Sequence, residues 1–410
     1  MKKGILLIAM LAISGMSIKA QWVQTNFYCV DPLECLAISG NNIFAGTWDG
    51  VCLSSNGGNS WTFVNNGLPG STSNNFINSL AVSGNNIFAE TEKGVYLSSD
   101  NGNNWTAVNN GLPFNFSYCF VNSLAISGNN IFAGVKGGGV FLSSNNGGIW
   151  TARNSGLPLN AKVRSLAISD SNIFVGIDSC GIFFSSNNGN SWVAVNNGLP
   201  PNLYTSAFTI VNNSIFAGSY IYTGGLFSTS NNGNIWVPDT AGLTNIGICS
   251  LTSNSNNIFA GGSGVFWSSN NGISWIPENA GLTELGIYAL VLKEDTLYAG
   301  TSVGEGSHIW KLPVSALGIE VIKDDKIKIS LYPNPATNTL TIETPQQSTI
   351  KISNTEGQLI KTLASTGTKT NVDHVGYSSY IVDVSEFPNG VYIVEVKTEK
   401  GIAVKKFVKE

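Results

Sequence analysis

The sequence predicts an all-β protein: a seven-bladed β-propeller followed by a small antiparallel β-sandwich. Three observations carry that reading. A unit of about forty-three residues recurs from residue 21 to Pro313. Each unit reads as four short strands separated by Gly and Asn turns. After Pro313 the repeat stops, and apolar and polar residues alternate in TLTIE, TIKIS, YIVEVK and AVKKFV.

The elements follow in chain order. Lys2 and Lys3, the apolar run Gly4–Ile13 and Ile18-Lys19-Ala20 read as an export signal over 1–20. That run is too short to span a bilayer, and no later segment has ~18 continuous apolar residues. The mature chain is expected to begin near Gln21 without a transmembrane segment.

The third repeat, from Asn122 to Pro158, shows the unit clearly: SLAIS, NIFAG, GVFLSS and WTARN. The second strand marks the count. It starts at Asn42, Asn86, Asn130, Asn172, Ser214, Asn257 and Thr296, giving spacings of 44, 44, 42, 42, 43 and 39. Four strands at this period are the signature of propeller blades. SLAI, NIFAG and GVFL are apolar on both faces, as expected of sheets packed between neighbours. The seventh unit lacks a fourth strand, and QWVQTN at 21–26 resembles the fourth strands SWVAVNN and NWTAVNN. The N-terminal strand is therefore expected to complete the last blade and close the ring.

Six turns carry SSNGGNSW or a near-copy. Their third and last positions are Asn56 and Trp61, Asp100 and Trp105, Asn145 and Trp150, Asn187 and Trp192, Asn231 and Trp236, and Asn270 and Trp275. The expected role is structural: the polar side chain bonds turn amides, Gly supplies a positive φ, and Trp packs between blades. The turn resembles the Asp-box (BNR-type) repeat of sialidase-like and sortilin-like propellers. Only Asp100 keeps the acid, so no metal is expected at these turns. The full unit also resembles the repeats of xyloglucan-cleaving propeller glycosidases, which implies the fold more than the activity.

The 410 residues are 42% hydrophobic and only 11% charged. Residues 21–313 hold seven basic and fourteen acidic side chains, which argues against nucleic acid as a partner. The six cysteines show no CxxC spacing, leaving disulfides (Cys29 with Cys35 for one) and free thiols both open.

Residues 314–327 read as a linker and 328–410 as the sandwich. Tyr332, Pro333, Asn334 and Pro335, the Asn354–Gly357 turn, Gly390 and Tyr392, and the basic end with Lys405, Lys406 and Phe407 resemble the C-terminal sorting domain of type IX secretion cargo. The resemblance implies the type IX machinery as a partner, and a protein that is secreted or attached to the outer cell surface.

Strand order places the loops joining second to third strands, and those joining blades, on one face. The six turns lie on the other. Residues that break the repeat on the loop face are the functional candidates. Ligand-binding candidates are Trp48, Tyr204, Tyr220, Tyr222 and Arg164, with Phe114, Phe116, Tyr118 and Lys162 nearby. Aromatics beside acids suit sugars. A non-enzymatic module binding a glycan or a protein is the favoured reading.

The alternative is a glycoside hydrolase using two of Asp49, Glu92, Asp178 and Glu305; Glu90 falls on the same loops, and Asp31, Glu34 and Glu284 on the loops between blades. The two arginines, Arg153 and Arg164, are too few for a sialidase. His308 and His374 fall in different domains, which excludes a Ser-His-Asp site; His308 is expected to be a lone polar residue. No cofactor is expected.

Overall fold

The structure is a computed structural model. It describes residues 21–70, 75–114, 118–220, 225–239, 241–243, 247–255, 257–303, 306–317, 329–345, 348–354, 358–363, 377–398 and 401–410. The leader at 1–20, Phe116, Tyr222, Glu305, His374 and most of the 314–327 segment lie outside the described residues.

Seven four-stranded antiparallel sheets form the first part of the chain. Their innermost strands are Leu33–Ser39, Ser79–Ser83, Val121–Ser127, Val163–Ser169, Thr205–Val211, Ser250–Ser253 and Ile287–Lys293. Each packs beside the next, and the last packs beside the first, so the sheets close as the seven blades of a propeller. Blade 1 is typical: Leu33–Ser39, Asn42–Thr47, Gly50–Ser54 and Thr62–Phe63, paired in that order. The outermost strand of blade 7 is Val23–Cys29, antiparallel to Gly306–Pro313. Trp22 leads into it almost fully buried, its backbone N–H on the Ala280 carbonyl and its indole N–H on the Glu278 carbonyl, both at 2.8 Å.

The second strands are the most buried elements, because each lies between two neighbouring blades. Phe44, Phe88, Phe132, Phe174, Phe216 and Phe259 are at most 1% exposed. Each such ring contributes roughly 2–3 kcal/mol of burial. Beside the ring runs a Gly position: Gly46, Gly134, Gly176, Gly218, Gly261 and Gly300. There the next blade presses a side chain against the backbone; a Cβ on Gly134 would stand 2.4 Å from Val163 Cγ1. Blade 2 has Glu90 at this position. The two-residue outermost strands, by contrast, are exposed throughout, as in Thr106–Ala107.

After Pro313 the chain makes one 3-10 turn, Val314–Leu317, and buries Val314 against the blade 7 core. The C-terminal part has two sheets. One contains Ser330–Tyr332, Thr339–Pro345 and Tyr377–Asp383; the other contains Thr349–Asn354, Leu359–Leu363, Gly390–Thr398 and Gly401–Lys409. Ile342, Ile350, Ile352, Val382, Val394, Val396 and Phe407 form their shared core. Among the described residues no helix is long and apolar enough to cross a membrane.

Candidate functional site: the loop face

Two kinds of loop meet on one face of the ring, and backbone hydrogen bonds hold them together. Trp48 N–H donates to Pro32 C=O, Cys119 N–H to Glu92 C=O, Lys136 N–H to Phe120 C=O, Asp178 N–H to Lys162 C=O and Ile248 N–H to Ser219 C=O. In each case a loop between second and third strands bonds a loop between blades.

The six repeated turns sit at the opposite end of the strands. In blade 4, Ser185 Oγ donates to Asn187 Oδ1 at 2.8 Å and accepts from Gly189 N–H at 2.9 Å. Asn187 Oδ1 also accepts from Ser191 N–H at 3.0 Å. Asn56, Asp100, Asn145, Asn231 and Asn270 accept in the same way. Trp105, Trp150, Trp192 and Trp236 donate their indole N–H to a carbonyl of the preceding blade at 2.6–2.8 Å. Trp61 packs edge-on against Phe27, ring centroids 5.1 Å apart, and Trp275 faces the Asp239 carboxyl. In all six turns the Asn or Asp side chain is engaged by the turn's own backbone, and in four the Trp indole N–H is bonded to the preceding blade.

The loop face is different in kind. The exposed aromatics Tyr28, Trp48, Phe114, Tyr118, Phe120, Tyr220 and Tyr288 all belong to it. Trp48, 39% exposed, donates to Glu34 Oε1 at 2.9 Å and meets Phe76 edge-on at 5.0 Å. Near the ring centre, burial raises the Tyr288 phenol above its usual range, helped by Tyr220, Cys249 and Glu34 beside it. Those residues come from four blades. Tyr204 lies under the Arg164 guanidinium at 4.7 Å, and Arg164 pairs with Asp178 at 3.2 Å.

The acidic candidates separate. Asp49 approaches Asp31 rather than another of the four named acids. Burial first, then the hydrogen bond and negative charge of Asp31, raise the Asp49 carboxyl above the usual carboxylate range. The Cys29 thiol joins them, with one donor atom from each of the three within 4.8 Å of the others. It is the one group with metal-ligand spacing among the described residues. Glu92 lends its backbone carbonyl to the loop, and Asp178 is committed to Arg164.

Two sequence expectations change, for Glu90 and His308, and the open choice between disulfides and free thiols falls to the thiols. Glu90 belongs to a strand, not a loop; it is fully buried, with Asn78 Nδ2 donating to its Oε1 at 3.4 Å. Desolvation holds its carboxyl well above the usual range. His308 has company: Nδ1 lies 2.9 Å from Glu284 Oε1, and Tyr28 packs on the ring at 5.5 Å. The six cysteines are free thiols, Cys29 and Cys35 included. Lys93 and Lys136, which stand over Tyr118 and Phe120, escaped sequence reasoning. The available signal was that five of the seven basic residues in 21–313 fall between 93 and 164.

In the C-terminal domain the motif residues lock its two ends together. Asn334 Nδ2 donates to Lys406 C=O and Asn334 Oδ1 accepts from Val408 N–H. Pro333 and Pro335 flank this Asn, and Ala336 N–H donates to Val408 C=O. Tyr332 OH donates to Glu343 Oε1 at 2.6 Å. Gly390 opens the strand bearing Tyr392, whose ring stacks on buried Phe407 at 5.3 Å. Lys405 and Lys406 remain exposed.

Residues 330–410 match the secretion system C-terminal sorting domain family. The chain is therefore cargo of the type IX machinery, secreted or held at the cell surface. No protein of curated function shows significant sequence similarity to the chain. Among solved structures it is similar to the extracellular domain of the two component system protein BT4673 from B. thetaiotaomicron, at 15% identity and TM-score 0.57. That match covers 80% of this chain and 46% of the other. A GH74 xyloglucanase from Xanthomonas campestris gives 14% identity and TM-score 0.56, covering 80% and 60%. The chain thus spans about half of each of these structures. YCF48 bound to D1 peptide gives 14% identity and TM-score 0.56 over 72% of this chain and 97% of that one. At these identities the likeness establishes the propeller fold.

Proposed function

We propose that the protein is an exported binding module, and that the loop face of its propeller takes up a glycan or a protein without transforming it. The observation that carries this is the asymmetry between the two faces. Seven exposed aromatic side chains share the loop face, whereas the opposite face repeats one self-satisfied turn. Exposed rings beside polar groups give large contact area at low entropic cost, the currency of sugar and protein recognition. Of the similar propellers, YCF48 was captured with a peptide and another is a xyloglucanase, so both ligand classes have precedent on this fold. The test is a glycan and peptide array probed with residues 21–410. Binding should fall on substituting Trp48, Tyr118 or Tyr220 by Ala. It should persist in Phe63→Ala, an exposed ring on an outermost strand. Equal loss in all four variants would refute the assignment.

A second reading, glycoside hydrolysis, draws on Asp31 and Asp49. Their carboxyl oxygens come within 4.8 Å and share a hydrogen bond, and Asp49, with its raised pKa, would serve as the acid. Hydrolysis of a bound glycan that vanishes in both Asp31→Asn and Asp49→Asn would favour it over the binding module.

A further inference from the structure

One arc of the loop face carries a continuous run of cations and rings. The Lys93 ammonium stands 3.8 Å from the centroid of Tyr118. Tyr118 stacks on Phe120 with the planes 6° apart and centroids 5.8 Å apart. Lys136 stands 5.5 Å from the Phe120 centroid, and its backbone bridges that of Lys162. Two residues on, Arg164 covers Tyr204. The run crosses from blade 2 to blade 5 without a break.

The charges in this run are largely unspent. The ion pairs among the described residues are Arg164 with Asp178 and His308 with Glu284, so Lys93, Lys136 and Lys162 have no carboxylate partner there. Of the seven basic residues in 21–313, a stretch that holds fourteen acids, four gather in this arc. Across the ring, the loops of blades 7 and 1 carry Asp31, Glu34, Asp49 and Glu284. The arc's own loops also carry Glu92 and Asp178, the latter paired with Arg164, so four cations there face two acids, and a polyanion is steered to this side rather than to the acidic one.

Backbone chemistry decides which polyanion. The N–H groups of Cys119, Lys136, Gly137, Gly139 and Asp178 are already bonded to loop carbonyls. These N–H groups are thus closed to an extended peptide, which would need a free strand edge to add to the sheet. What remains are ammonium tips and ring surfaces, with Tyr118 42%, Phe120 36% and Phe114 44% exposed. Apolar faces of sugar rings pack on aromatics, and carboxylate or sulfate groups meet lysines as point charges.

We infer that this arc, the basic part of the binding face proposed above, binds an anionic polysaccharide bearing carboxylate or sulfate groups. The experiment measures binding of residues 21–410 to immobilised polygalacturonate, dextran sulfate, neutral dextran and polyglutamate. Polygalacturonate or dextran sulfate should bind, weakening with added salt, and dextran should not. The triple variant Lys93→Gln, Lys136→Gln, Lys162→Gln should lose at least about tenfold in affinity at low salt. The triple Lys→Arg variant should bind as the parent does. A control, Lys293→Gln with Lys311→Gln, changes charge away from the arc and should bind normally. Matched thermal melts keep the comparison valid. Unchanged binding in the Gln triple, or equal loss in the control, overturns the inference. Polyglutamate bound as tightly as the polyuronate also overturns it, in favour of an acidic peptide. Binding only to neutral glycans, lost in Tyr118→Ala but not in the Gln triple, overturns it while leaving the loop-face reading intact. No binding to any of the four probes also overturns it, and the loop-face reading is then decided by the array alone.

Discussion

Glu90 occupies a position that six other blades fill with Gly. Its Oε2 has no hydrogen-bond partner among the described residues, and its side chain is fully buried. A charge there would be strongly penalised, so the carboxyl keeps its proton well above the usual range. The folded state then binds the proton more tightly than the unfolded one, whose pKa is about 4.3. Stability contributed by that proton is complete below the unfolded value and is lost as pH rises toward the folded one. Glu90→Gln keeps the shape and removes the titration. We expect its melting temperature to exceed the parent's by a margin that grows between pH 5 and pH 8. A variant that loses ground at pH 8 would show that ionised Glu90 has a partner. The sequence displayed this residue as an acid breaking the repeat, but not its burial. Burial depends on how the next blade closes over it, with Cys119 beside it, which no local pattern encodes.

At the scale of the element, the repeated turn was legible because every contact within it is local. Ser, Asn or Asp, Gly and Trp recur at fixed spacing, and each hydrogen bond of Ser185 and Asn187 spans two or four residues. Removing the Ser185 hydroxyl leaves the buried Gly189 N–H without its acceptor, a cost of about 1–3 kcal/mol. Ser185→Ala should lower the urea midpoint accordingly, while Asn187→Asp, which keeps the acceptor oxygen, should lie within about 0.5 kcal/mol of the parent. Equal destabilisation in both would mean that the amide, not the oxygen, matters. The loop face was only half legible. Trp48, Tyr204, Tyr220 and Arg164 stood out by type. The approach of Asp31 to Asp49, and of Lys93 to Tyr118, joins residues from separate loops and could not be read from spacing.

For the whole molecule, seven repeats announced seven blades, and the closure rested on the echo between QWVQTN and SWVAVNN. In the structure Val23–Cys29 pairs with Gly306–Pro313, burying Trp22 and Phe27 to 2% exposure each. Deleting 21–26 removes Trp22, bares the edge of the last blade and frays the strand that carries Phe27. A loss of at least about 3 kcal/mol is expected from that buried ring alone, with aggregation through the bared edge. A deletion that melts like the parent would show that the ring holds without its clasp. The clasp also sets an order of events. Its two strands lie at opposite ends of the propeller sequence, so neither can pair until nearly the whole ring has been made. A chain threading through a membrane N-terminus first must carry its opening strand unpaired until Pro313 has followed. The long-range closure makes this a late, slow step in folding. The sorting domain follows the ring in the chain. Ring completion thus waits on Pro313, so a chain halted or truncated before it is left with an open, adhesive edge.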